Sequence, residues 1–112
     1  MNELQPDDPA EEIDIRYDET EQRYEAYLPD SDEVAYMNVQ RDPNLWLLRG
    51  TYVPPAHSGR GVGTSLVQRV LAEARAEGVR IYPQCPFTAA YIKRHPQEAD
   101  LVHPDHLHLV ER

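Results

Sequence analysis

The sequence is poor in several things, and each shortage excludes something. A single cysteine in 112 residues leaves no intrachain disulfide framework and no cysteine-rich zinc site. No stretch approaches about 18 consecutive apolar residues, so nothing reads as a membrane-spanning helix. The opening Met1-Asn2-Glu3-Leu4-Gln5-Pro6-Asp7-Asp8 has no basic region followed by an apolar stretch, so it does not read as a secretory signal. Positive charge is scarce: eleven Lys and Arg stand against twenty Asp and Glu, a net charge of −9. Binding to a phosphate backbone needs a basic face, which argues against nucleic acid as the main partner. The length suits one domain and no more. These shortages predict a one-domain cytoplasmic chain, a monomer or weak dimer, with no membrane segment.

The charge that is present is unevenly placed. Residues 1–33 carry thirteen acids and two bases, a net of −11, while residues 34–112 carry seven acids and nine bases, a net of +2. The body of the chain is therefore able to accept an anion. Residues 1–12 contain Pro6 and Pro9 and almost nothing apolar, and they read as a disordered acidic arm.

From Ile13 onward the pattern is strand-like. Ile13, Ile15 and Tyr17 alternate with Asp14, Arg16 and Asp18, and residues 22–28 mix aromatic and apolar positions with charges. Val34 and Tyr36 fall on one face of a third segment, with Ala35, Met37 and Val39 on the other. Leu45-Trp46-Leu47-Leu48 opens a fourth segment that runs to about Val53. Short turns at 18–21, 29–32 and 41–44 make these an antiparallel meander. The fourth strand is apolar on both faces, which places it inside the sheet. Pro54-Pro55 ends it.

A helix is predicted over Val62–Glu77, because Val62, Leu66, Val67, Val70, Leu71 and Ala74 form one stripe at three- and four-residue spacing. Gly78 stands where a left-handed C-cap belongs. Val79–Tyr82 reads as a short strand. A strand, a crossover helix and a strand imply parallel pairing with a right-handed connection. Residues 86–95 read as a second helix, with Pro86 in its first turn and Pro96 after its end. The expected fold class is α+β with a mixed sheet.

The informative unit is the turn Ser58-Gly59-Arg60-Gly61-Val62-Gly63-Thr64 between an inner strand and a helix. Successive backbone N–H groups there can converge on an anion, and the helix dipole adds partial positive charge. Glycines let the main chain approach a phosphate. By those letters alone the segment is either an anion cradle or a tight turn. It is not a P-loop, since no Gly-Lys-Ser or Gly-Lys-Thr follows, and the meander before it disfavours a dinucleotide site.

In this order, the meander, the glycine turn, the amphipathic helix, the parallel strand and a second helix carrying Tyr91 resemble the GNAT N-acetyltransferase fold. The family's phosphate signature is matched by Gly59, Gly61 and Gly63, with Ser58 in place of the usual Arg or Gln. A closer resemblance is to the small single-domain YjdJ-type branch, through Val53-Pro54-Pro55, Gly59-Arg60-Gly61-Val62-Gly63, Pro83-Gln84-Cys85-Pro86-Phe87, Ala90-Tyr91-Ile92 and Arg94-His95-Pro96. It covers residues 13–102 and leaves 103–112 as a polar C-terminal tail.

The resemblance implies acetyl-CoA as donor and an amine as acceptor. It implies a gap between the fourth and fifth strands for the pantetheine arm. The diphosphate would lie on the backbone of Gly59, Arg60, Gly61, Val62, Gly63 and Thr64, with Val53 as a further cofactor contact, while Lys93 and Arg94 on the second helix either approach the adenosine phosphates or are solvated surface charges. A backbone N–H within Arg49–Val53 would polarise the thioester carbonyl. Tyr91 matches the family's helix tyrosine, which can protonate the departing sulfur; its alternative is core packing. Cys85 stands at a helix start, the kind of place that a nucleophilic cysteine occupies. It would carry acetyl, line the thioester pocket or simply be buried. His95 is either a helix-end residue or a base.

His57 sits in the loop just before the glycines, either near the ligand or as an ordinary exposed loop histidine, and has no assigned role. The group His103, Asp105, His106 and His108 has metal-ligand composition, but its close spacing around Pro104 makes no metal site the expectation. Short turns between the first strands leave no room for acceptor-covering helices. The acceptor groove is therefore expected to be open and suited to a protein, peptide or polyamine-like amine. The competing reading is a non-catalytic acyl-CoA-binding module of the same fold.

Overall fold

The computed structural model describes residues 13–111; the acidic arm over residues 1–12 lies outside the described residues. The elements follow in the order β1 (Asp14–Asp18), β2 (Arg23–Tyr27), β3 (Val34–Arg41), β4 (Leu45–Tyr52), α1 (Val62–Glu77), β5 (Arg80–Pro83) and α2 (Pro86–Arg94). Short 3-10 turns occupy Pro55–His57, Pro96–Leu101 and Pro104–Leu109.

The five strands form one sheet in sequence order. The first three pairings are antiparallel and β4–β5 is parallel, which bears out the mixed α+β reading. Alternation sorts the side chains. Tyr24, Ala26, Ala35, Met37, Val39, Trp46 and Leu48 are all buried. Against them lies the predicted stripe of α1, and Val62, Leu66, Val67, Val70, Leu71 and Ala74 are buried too. Gly78 adopts the left-handed cap, φ 73°, and its N–H returns to Ala74 and Arg75.

Two features position the site. The first is a bulge. Val39 pairs with Leu48 but Asn38 pairs with Gly50, so Arg49 is an extra residue on β4. Arg49 points outward and donates to Gln40 Oε1 at 2.7 Å. The second is a parting of strands. The β4–β5 pairing runs from Leu45↔Arg80 to Leu48↔Pro83 and stops, while β4 continues to Tyr52 alongside β3. The last link is Cys85 N–H donating to the Leu48 carbonyl at 2.8 Å, after which the chain turns into α2.

The C-terminal segment differs from the polar tail that its histidines suggest. Val102 bridges to Ile81, His103 N–H donates to the Ile81 carbonyl at 2.9 Å, and Val110 joins the core with Leu107 and Leu109 packed beside it. The His106 ring stacks on Tyr82, with centroids 3.6 Å apart. Three aliphatic residues interleaved with the histidines supply the burial, and His103 Nδ1 accepts from Asp105 N–H. The same contacts account for the histidine group: among the described residues no group of three His, Cys, Asp or Glu is placed to hold a metal. Nor is any described helix long and apolar enough to cross a membrane.

A polar chain ties the sheet to α1. Tyr24 donates to Glu73 Oε1 at 2.6 Å, Arg69 donates to Glu73 Oε2, and Arg41 donates to the Tyr24 oxygen at 3.3 Å while lying over Tyr17 and Trp46. Burial raises the Tyr24 phenol, and its bond to Glu73 raises it further. Burial pushes the Glu73 carboxyl up, but the bonds from Tyr24 and Arg69 outweigh it, so the group titrates below its ordinary 4.5. A depressed carboxyl contributes stability above its unfolded-state value and loses it as pH falls through the lower folded value. Tyr24→Phe is expected to lower unfolding free energy at pH 7 by about 1–2 kcal/mol. Urea unfolding at a series of pH values should show this difference shrinking below the ordinary glutamate range.

Candidate functional site

The turn between β4 and α1 is built by three local constraints. Pro54 and Pro55 stop the strand and start a 3-10 turn whose N–H groups return to Pro54 and Pro55, His57 at 2.8 Å and Ser58 at 3.1 Å. Gly59 and Gly61 then take positive φ, 77° and 76°, which an L side chain rarely adopts. Gly61 is the N-cap of α1 and makes no side-chain cap. At Gly63 the constraint is space, since a Cβ there would meet Phe87 Cζ at 3.0 Å. The first turns of α1 and α2 are thereby brought together.

The result is a cavity of about 280 Å³ lined by Val53, His57, Ser58, Gly59, Gly61, Val62, Gly63, Thr64 and Phe87. The first amides of a helix have no intrahelical partner. Among the described residues, no loop, turn or cap hydrogen bond takes its N–H from residues 59–64. The amides are therefore not consumed by other main chain. Together with the dipole of a 16-residue helix they present donors to an anion.

A second cavity, about 480 Å³, follows along the same seam between the helices. Gln68, Leu71, Ala72, Arg75 and Tyr91 line it. Gln68 is one turn beyond Thr64 on α1, and Tyr91 is one turn beyond Phe87 on α2, so the two hollows are consecutive along one groove. Tyr91 is buried, accepts from Gln68 Nε2 at 3.4 Å, and stacks on His95, whose Nδ1 lies 2.8 Å from the Tyr91 carbonyl oxygen.

Cys85 is elsewhere. It is buried at the N-cap of α2, and its Sγ lies 3.1 Å from Thr51 Oγ1 at the parting of β4 and β5. Tyr91 is six positions farther on, about 9 Å along a helix axis. The structure thus gathers Val53, Gly59, Gly61, Val62, Gly63 and Thr64 around one cavity, but sets Cys85 and Tyr91 at different points. Arg60 does not line the cavity; its guanidinium turns to Asp30 at 3.3 Å. Arg94 is exposed at the last turn of α2.

Three residues at the site escape a reading of the sequence. Thr51 carries no motif, and only the bulge at Arg49 brings it onto the Cys85 side. Phe87 matters through its contact with Gly63. His57 reads as an exposed loop histidine, yet it is completely buried and neither ring nitrogen has a partner. An orphaned buried polar group of this kind costs about 1–3 kcal/mol.

The family model of GCN5-related N-acetyl-transferases matches residues 23–101, which covers most of the chain. The protein belongs to this family of N-acetyltransferases. None of the curated proteins compared matches it.

Gly61→Ala forces a Cβ into the left-handed region and is expected to cost about 1–2 kcal/mol in chemical denaturation. Gly63→Ala is expected to cost less, because the Phe87 ring it meets is 39% exposed and free to swing. Equal costs for the two variants would show that ring contact, not backbone conformation, governs the turn.

Proposed function

We propose that this protein transfers acetyl from acetyl-CoA to an exposed amine, and that it belongs to the small single-domain YjdJ-type branch. The observation that carries the reading is the amide-lined cavity at the start of α1, set beside the end of the β4–β5 ladder. In this reading the amides of Gly59, Arg60, Gly61, Val62, Gly63 and Thr64 hold the diphosphate. Val53 borders the path of the pantetheine arm. Arg94 lies about 10 Å farther along α2 than Phe87, so its contact falls to a phosphate on the adenosine rather than to the diphosphate.

The amine nitrogen attacks the acetyl carbonyl, the C–N bond forms, the C–S bond breaks, the nitrogen sheds a proton to water, and the thiolate takes one. Holding donor and acceptor together supplies much of the rate. An amide within Arg49–Val53, on the part of β4 that β5 no longer covers, polarises the thioester oxygen. Tyr91 gives the proton to the sulfur. In a two-step variant Cys85 Sγ takes the acetyl, its proton leaves with CoA, and the amine then attacks the new thioester. Cys85 sits beside Thr51 and Tyr91 beside Gln68, and substitution at each residue tests the two routes separately.

The acceptor is a protein, peptide or polyamine-like amine. Short turns leave the face of the sheet opposite the helices open around Tyr36 and Tyr52, and Tyr52 is 47% exposed. A non-catalytic acyl-CoA-binding role is the second reading. It is favoured by the groups that hydrogen-bond the Cys85 thiol and the Tyr91 hydroxyl, Thr51 and Gln68, neither of which is a base.

Acetyl-CoA at a hundred times its dissociation constant should stabilise the fold by about 2.7 kcal/mol, read as a raised melting temperature. Thiol release with a panel of lysine peptides and polyamines should follow. Tyr91→Phe is expected to cut turnover at least tenfold while leaving acetyl-CoA affinity intact, and Cys85→Ala to leave turnover standing unless mass spectrometry finds acetyl on Cys85. Melting that ignores millimolar acetyl-CoA would end the donor reading, and binding without thiol release would select the second.

A further inference from the structure

His57 is out of character with its surroundings. It is fully buried, and a neutral imidazole carries one N–H donor and one acceptor whichever tautomer it adopts. Here neither ring nitrogen has a partner. A leucine or phenylalanine would fill the same space without that penalty. Violations of ordinary burial rules concentrate at functional sites.

Its position points to which function. The residue belongs to the 3-10 turn begun by Pro55, and its N–H is bonded to the Pro54 carbonyl, so the backbone beneath the ring is held. The residue borders the same cavity as Gly59, Gly61, Val62, Gly63 and Thr64. Among the described residues lining that cavity, His57 alone is ionisable. The arginine of the turn, Arg60, is directed to Asp30 instead.

We propose that His57 is a phosphate-contacting residue of this cavity, its imidazole N–H donating to a diphosphate oxygen held by the amides of residues 59–64. The inference rests on the acyl-CoA reading above. The ring nitrogens are covered in this structure, so contact requires the side chain to turn toward the cavity that the residue borders. No hydrogen bond holds the ring back, and that turn therefore breaks none. A bond from the ring to an ionised phosphate is of the stronger, charge-assisted kind.

The test compares CoA with acetyl-pantetheine, which has the same thioester arm and no diphosphate. By calorimetry, His57→Leu should bind CoA about tenfold more weakly than wild type. Its affinity for acetyl-pantetheine should be unchanged, and its melting temperature equal or higher, because two orphaned polar atoms are gone. His57→Gln, which restores an N–H donor, should recover most of the loss. Should His57→Leu fail to fold, the ring nitrogens of isotope-labelled wild type give an independent reading. Their resonances should move on saturation with CoA and stay in place with acetyl-pantetheine. Equal CoA affinity in wild type and His57→Leu, an equal loss for both ligands, or ring resonances that ignore CoA would overturn the role of His57 and leave the donor reading standing. A wild-type protein that binds no CoA would overturn both.

Discussion

The parallel ladder between β4 and β5 ends at Leu48, and the placement of the candidate residues follows from that ending. Cys85 N–H takes the Leu48 carbonyl, and the chain turns at once into α2. β5 therefore cannot accompany β4 any farther. The extra residue at Arg49 bends β4 at the same level, so that Thr51 rather than Tyr52 faces the helices. Four residues of β4 are left with a neighbour on one side only. Thr51 and Cys85 meet at the fork, and the glycine turn that follows β4 arrives beside the first turn of α2.

The cradle next to the fork is made of main chain more than of side chains. Its lining contains neither lysine nor arginine, and Arg60 is engaged with Asp30. Positive potential comes from unpaired amides and from the dipole of α1. This suits a chain with few bases: an anion can be held without a basic surface, because the donors are fixed in the backbone and tolerate an acidic composition elsewhere. It also explains the glycines, two of which supply positive φ and the third clearance beneath Phe87.

Most of the fold was legible because it rests on local periodicity. The stripe on α1, the alternation in β3 and the Gly78 cap are each written within a few residues, and the helix bounds Val62–Glu77 agree with the pattern. The glycine turn was legible for the same reason. What the letters did not disclose depends on contacts between distant segments. No residue type announces the bulge, since it is defined by the register of β4 against β3. His57 looks like any loop histidine until the fold buries it completely at the edge of the cavity. The different partners of Cys85 and Tyr91, Thr51 and Gln68, come from segments distant in sequence. The C-terminal histidines concealed Leu107, Leu109 and Val110, whose burial depends on finding the core.

That C-terminal segment has a consequence for how the chain is handled. β5 is the last strand of the sheet, and its outer side is capped by the Val102 bridge and the His103 bond to Ile81, with His106 laid on Tyr82. A polypeptide shortened to end at Leu101 would bare a row of unsatisfied peptide groups along an apolar border, an invitation to strand addition between molecules. That exposed edge is thus guarded by the segment from Val102 to Val110, whatever the chemistry at the fork.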